Sequence, residues 1–249
     1  GCQPIAGCRR LTMAVPTPRM NAETWTLICT SPKGNDMKTD EWIEMLAAGA
    51  APVSTRALEQ RFGSAVAAGL GGAAVLMLLV FGLRPDLAQT AALPMFWGKL
   101  AFAAALAVPG VWVLQRLARP GARWTGLAWA MALPVALLWT MAAWALLQQA
   151  PADRWALVLG STWRTCPFNI ALLSVPAFIA SFWALRGAAP TQLAWAGAGA
   201  GLLAGALGAL VYALHCPEMA TPFLAVWYVA GIAMPTALGA VLGPRLLRW

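Results

Sequence analysis

The 249 residues are 60% hydrophobic and only 10% charged, with a mean hydropathy of +0.67. An ordinary soluble domain is about 45–50% apolar and about 25% charged, and a globule this small could not hide the excess from water. A soluble enzyme is excluded and an all-α polytopic membrane protein is indicated. The net charge of +8 sits between apolar runs, where it sets topology and meets lipid headgroups, so the first partner is the bilayer and no direct nucleic-acid contact is expected.

Residues 1–36 show no helical or strand period and lack the apolar core of about 7–15 residues that marks a signal peptide. They read as disordered or as an upstream extension, with Met37 as the natural start. Cys2, Cys8 and Cys29 have neither CxxC spacing nor a His partner, so a zinc site is not expected there. Residues 37–61 form a short helical segment ahead of the first span. Thr39 can cap a helix whose first turn holds Asp40 and Glu41, where the macrodipole favours acid. Trp42, Ile43, Leu46 and Ala50 make an apolar stripe at three- and four-residue spacing, bordered by Asp40, Glu41 and Glu44. Helices lying on anionic lipid are usually basic; an acidic-edged stripe better suits a groove on a basic protein. Pro52 ends that helix, and Ser54 or Thr55 can cap the next.

Residues 62–249 form a transmembrane domain with six apolar runs, at about residues 62–83, 94–114, 124–147, 168–185, 193–214 and 222–242. Each is long enough to cross about 30 Å of hydrocarbon as a helix. With alternate loops assigned to opposite sides, thirteen of the Lys and Arg residues fall on the side of the termini and four on the other. Both termini are thus expected in the cytoplasm. Gly197, Gly201 and Gly205 in the fifth run allow close backbone approach to a neighbouring helix, and a homo-oligomer contact stays open. The longest outer loop, residues 148–166, carries Trp155 and Trp163 as interfacial anchors.

Two cysteines fall on the outer side, each followed by proline: Cys166-Pro167 and His215-Cys216-Pro217-Glu218. Proline favours the first helical position, so each cysteine is placed to cap a helix start, where backbone N–H groups stabilise a thiolate. A structural disulfide, a redox or soft-metal sensor, and inert thiols are the three readings. In the sensor reading Cys166 and Cys216 are the metal ligands, His215 can join them, and Glu218 adds an oxygen or orients His215. No resident cofactor is expected, only a heavy-metal ion held transiently. Lys99, about five residues into its span, is expected to snorkel, with an internal partner such as Glu218 as the alternative. There is no P-loop, no HExxH and just one histidine, so no catalytic residue is assigned and the chain is not expected to be an enzyme. A small-solute or metal transporter and a thiol-redox membrane protein remain as alternatives.

A set of ordered landmarks runs from residue 37 to residue 249. They include Met37-Lys38-Thr39-Asp40, Gly82-Leu83-Arg84-Pro85-Asp86-Leu87, Phe96-Trp97-Gly98-Lys99-Leu100 and Arg119-Pro120-Gly121. Cys166-Pro167-Phe168, Leu185-Arg186-Gly187, Tyr212 to Glu218 and Gly243-Pro244-Arg245 complete the set. In this the chain resembles the NrsF family, six-span inner-membrane anti-sigma factors of Proteobacteria. The resemblance implies that the N-terminal segment sequesters an extracytoplasmic-function (ECF) sigma factor at the membrane. It also implies that the periplasmic cysteines, here Cys166 and Cys216, sense heavy-metal or oxidative stress. On that reading the sigma factor contacts Asp40, Glu41, Trp42, Ile43, Glu44 and Leu46, and a signal outside releases it.

Overall fold

The computed structural model describes residues 39, 42–44, 55–119, 121, 125–188 and 190–248. Within residues 37–54, Thr39, Trp42, Ile43 and Glu44 are helical and exposed. Asp40, Glu41 and Leu46 lie outside the described residues, as do residues 1–36.

Most of the remaining described residues are helical: α1 (Thr55–Val80), α2 (Leu87–Thr90), α3 (Pro94–Leu117), α4 (Thr125–Leu147), α5 (Arg154–Leu159), α6 (Cys166–Arg186), α7 (Leu193–Tyr212) and α8 (Thr221–Leu246). No strand occurs among the described residues. Six of these helices are long and apolar enough to cross a membrane. Helix α1 begins at Thr55, where the sequence offers a cap, so residues 55–61 run continuously into the apolar stretch at Phe62. Proline opens α3 and stands in the first turn of α6 and of α8, where its missing N–H costs nothing.

Helix α7 is the axis of the bundle and packs against α8, α6, α3 and α1. Its glycine stripe explains why. A Cβ on Gly201 would meet the backbone of Pro235 and Thr236, and one on Gly205 would lie 2.9 Å from Ile232 Cα. Gly197 sits directly on the Gly239 carbonyl. The stripe is therefore used up against α8 within one chain, and no second copy can reach it. One turn further along α7, Gly208 abuts the α6 backbone at Ile170 and Ser174. By contrast α4 is peripheral, with Trp129, Trp139 and Trp144 exposed along it. Its tie to α8 is the Trp139 Nε1–H, which donates to the Ala225 carbonyl at 3.0 Å. That carbonyl lies in a π-helical turn, Leu224–Tyr228, near the start of α8.

Candidate functional site: a framed pair of buried thiols

Cys166 opens α6 and Cys216 lies in the connection between α7 and α8. Both are fully buried and unbridged, and their thiols are within hydrogen-bonding reach of each other. Fifty residues apart in the sequence, they meet because the starts of α6 and α8 lie at the same end of the bundle as the end of α7.

The two cysteines do not occupy equivalent positions. Cys166 has Pro167 behind it and stands at a helix start, as the sequence suggests. Cys216 does not. Its N–H donates to the Tyr212 carbonyl at 2.9 Å, so it closes the last turn of α7, and α8 begins only at Thr221. A helix C-terminus carries partial negative charge and cannot stabilise a thiolate. The positive charge comes from Lys99 instead. Its side chain is 1% exposed and its Nζ donates to the carbonyls of Cys216, at 2.9 Å, and Glu218, at 3.0 Å. Lys99 therefore does not snorkel, and its internal partner is the Glu218 backbone rather than the carboxylate. Placing a lysine inside a span costs about 2.5–3.5 kcal/mol on insertion scales, while a charged hydrogen bond contributes about 1.5–3 kcal/mol. Two such bonds are enough to hold the ammonium inside. Arg84 Nη1 adds a longer contact to the same Cys216 carbonyl, at 3.4 Å, while its remaining donors pair with Asp86. The Asp86 hydrogen bond raises the Arg84 pKa, and the same bond lowers that of Asp86.

The thiol of Cys216 is drawn below the ordinary thiol value, first by the hydrogen bond from Cys166. Burial opposes this, and the Lys99 ammonium reinforces it. Tyr228, at the end of the π-helical turn, is completely buried; its hydroxyl faces Cys216 without an ordinary hydrogen-bond partner. Tyr212 packs beside it, ring centroids 6.1 Å apart, and takes a hydrogen bond from Asn169.

The Glu218 carboxylate is engaged by the turn ahead of α6 rather than by His215. Its Oε1 accepts from the Ser161 N–H (2.7 Å), the Ser161 hydroxyl (2.6 Å) and the Thr162 N–H (3.2 Å). The turn that presents these donors begins at Gly160, whose φ of +54° suits glycine and whose missing Cβ leaves room for the carboxylate. The Thr162 carbonyl then accepts the Cys166 N–H at 2.9 Å. A single carboxylate thus joins the Cys216 connection to the turn that starts α6. His215 is likewise engaged elsewhere. Its Nδ1 lies 3.2 Å from the Gly82 carbonyl, and its ring packs on Phe81. Consequently no group of three or more His, Cys, Asp or Glu side chains that could hold a metal ion forms among the described residues. The arrangement offers two sulfur donors, enough to form one disulfide or to bind a soft ion through two thiolates. Of the two loop tryptophans, Trp155 is exposed, whereas Trp163 packs on Trp227 at 5.4 Å.

The family model described as "Negative regulator of sigma F", NrsF, matches residues 46–249. A relative from Azospira oryzae, named as a probable anti-sigma-F factor NrsF, is 45% identical over 213 residues, covering 86% of this chain and all of the relative. An anti-sigma-F factor NrsF from Caulobacter vibrioides is 39% identical over 220 residues, with the same shares covered. No solved structure matches. With the family model spanning most of the chain and two full-length relatives above a third identical, the chain belongs to the NrsF family.

Proposed function

We propose that the chain is a membrane-bound anti-sigma factor. It holds an ECF sigma factor at the bacterial inner membrane and releases it when Cys166 and Cys216 are oxidised or bind a heavy-metal ion. The names of its relatives support the sigma-factor partner. The observation that carries the sensing role is the pair of adjacent, unbridged thiols in a frame made by Lys99 and Glu218. With both termini in the cytoplasm, that pair faces the periplasm, an oxidising compartment. The segment 37–54 presents Trp42, Ile43 and Leu46 to the sigma factor, flanked by Asp40, Glu41 and Glu44.

In the oxidative branch, the two Sγ atoms form an S–S bond, and two electrons and two protons pass to a disulfide or diazene oxidant. In the metal branch, two protons leave as a soft divalent ion takes both thiolates. Either product ties the start of α6 to the end of α7 more tightly than two thiols do. A difference of about 1–3 kcal/mol in the sigma-binding equilibrium changes affinity roughly 5- to 150-fold.

The test is co-purification from native membranes, with proteins identified by mass spectrometry. The intact chain should bring down a sigma factor, and a chain lacking residues 37–54 should not. Cys166→Ser with Cys216→Ser should keep the sigma factor bound after cadmium or diamide. Recovery of no sigma factor with the intact chain would sink the anti-sigma reading; normal release from the double-serine chain would sink the sensor.

A further inference from the structure

Cys166 stands at one end of α6, and the helix leading to the N-terminal segment meets α6 at the other. At that far end Arg61, in the second turn of α1, reaches across to the last turn of α6. Its Nη2 donates to the Trp183 carbonyl at 2.8 Å, and its guanidinium lies 4.3 Å from the Trp183 ring centroid. The carbonyl needs this donor. The Gly187 N–H bonds to Ala184 rather than to Trp183, leaving the Trp183 carbonyl among the orphans of the helix end. The cation also meets the negative end of the helix dipole. Gly187 itself has a φ of −88°, open to any residue, so its reason for being glycine is space. A Cβ there would fall on the Arg61 guanidinium. The fit is tight enough that Arg61 Nε is buried without a partner.

Between the two ends, α1 and α6 touch backbone to backbone. A Cβ on Gly69 would lie 2.7 Å from Ala177 Cα, and one on Gly72 would lie 2.7 Å from Pro176 Cβ. Such packing lets neither helix turn without moving the other. Arg186, at the same end, donates to the Leu246 carbonyl of α8 at 3.2 Å. The helix that starts at Cys166 is therefore fastened at its far end both to α1 and to α8.

We infer that Arg61, seated in the space left by Gly187, is the positioning residue through which the state of the thiol pair reaches the sigma-binding segment. This deepens the proposed function and rests on it. When the thiol pair is bridged, the start of α6 is drawn toward Cys216. Because α6 and α1 move as a pair, the displacement arrives at Arg61, and with it at the base from which residues 37–54 extend.

The test uses the full-length chain in native membranes, titrated with diamide. Two quantities are read from the same sample: the Cys166–Cys216 disulfide by gel shift, and the co-purifying sigma factor. Gly187→Ala places a methyl where the guanidinium sits; only a flexible side-chain end stands in its way, so the fold is kept. The expected result is wild-type disulfide formation and wild-type retention before treatment, with the diamide dose for half-release raised about tenfold. Arg61→Gln, which is shorter and removes the charge, should raise that dose similarly, and Arg61→Lys, which keeps a long cationic donor at the helix end, should restore it to within about threefold of wild type. If Gly187→Ala and Arg61→Gln both release at the wild-type dose, the inference is overturned while the sensor reading stands. A wild-type chain that keeps its sigma factor after the disulfide has formed overturns the release reading and this inference together.

Discussion

Cys216 is the more reactive partner of the pair, for reasons that lie in its neighbours. Cys166 donates a hydrogen bond to it and Lys99 faces it with positive charge, both favouring thiolate against the cost of burial. Alkylation rate follows the thiolate fraction, so labelling of Cys216 by iodoacetamide should reach its plateau at a lower pH than an ordinary thiol. Cys166→Ala removes the donor and Lys99→Met the cation. Each should move the half-maximal labelling pH upward, measured by mass spectrometry of the labelled peptide. An unchanged profile in both variants would remove these groups as the cause. The sequence discloses the cysteines and Lys99 but not this arrangement. Lys99 reads as a lysine near a span end, because nothing local reveals that two carbonyls 117 and 119 residues away lie across from it. Glu218 likewise reads as a ligand next to His215, and only the turn at Gly160 shows where its carboxylate goes.

Among the helices, apolar length was legible because a span needs only continuous hydrophobicity. Partner choice was legible in one place: the four-residue glycine spacing of α7 announces a close neighbour, although not that α8 is that neighbour. The start of α1 at Thr55 was marked by Pro52 and the capping residues after it, whereas the π-helical turn of α8 left no such mark. Substitution separates the two kinds of glycine. Gly201→Ala drives a methyl into the Pro235 backbone, which cannot yield as a side chain does. Overpacking of this kind costs about 1–3 kcal/mol, and the thermal unfolding temperature in detergent should fall. Gly71, within α1, is the opposite case: a methyl added there would meet nothing within 4 Å beyond its own helical turn. The propensity gain from alanine at such a position is about 0.8–1 kcal/mol, so Gly71→Ala should hold or raise the same temperature.

Taken together, the bundle has a firm half and a loose half. Helices α1, α6, α7 and α8 are joined by backbone contacts through glycine, and the thiol pair and Arg61 lie at opposite ends of this group. Helix α4 rests at its margin with all three of its tryptophans exposed. That both thiols have no exposed surface has a consequence for which reagents can reach them. A buried target is a sieve: it admits small species and turns away large ones, whatever their intrinsic reactivity toward sulfur. Diamide or a bare metal ion should therefore modify Cys166 and Cys216 in the folded chain far faster than glutathione disulfide or a polyethylene-glycol maleimide does. After denaturation in dodecyl sulfate, the two classes of reagent should converge. Under the proposed sensing role, such a filter would leave the chain indifferent to the bulk thiol balance around it while it answers quickly to a small toxic intruder.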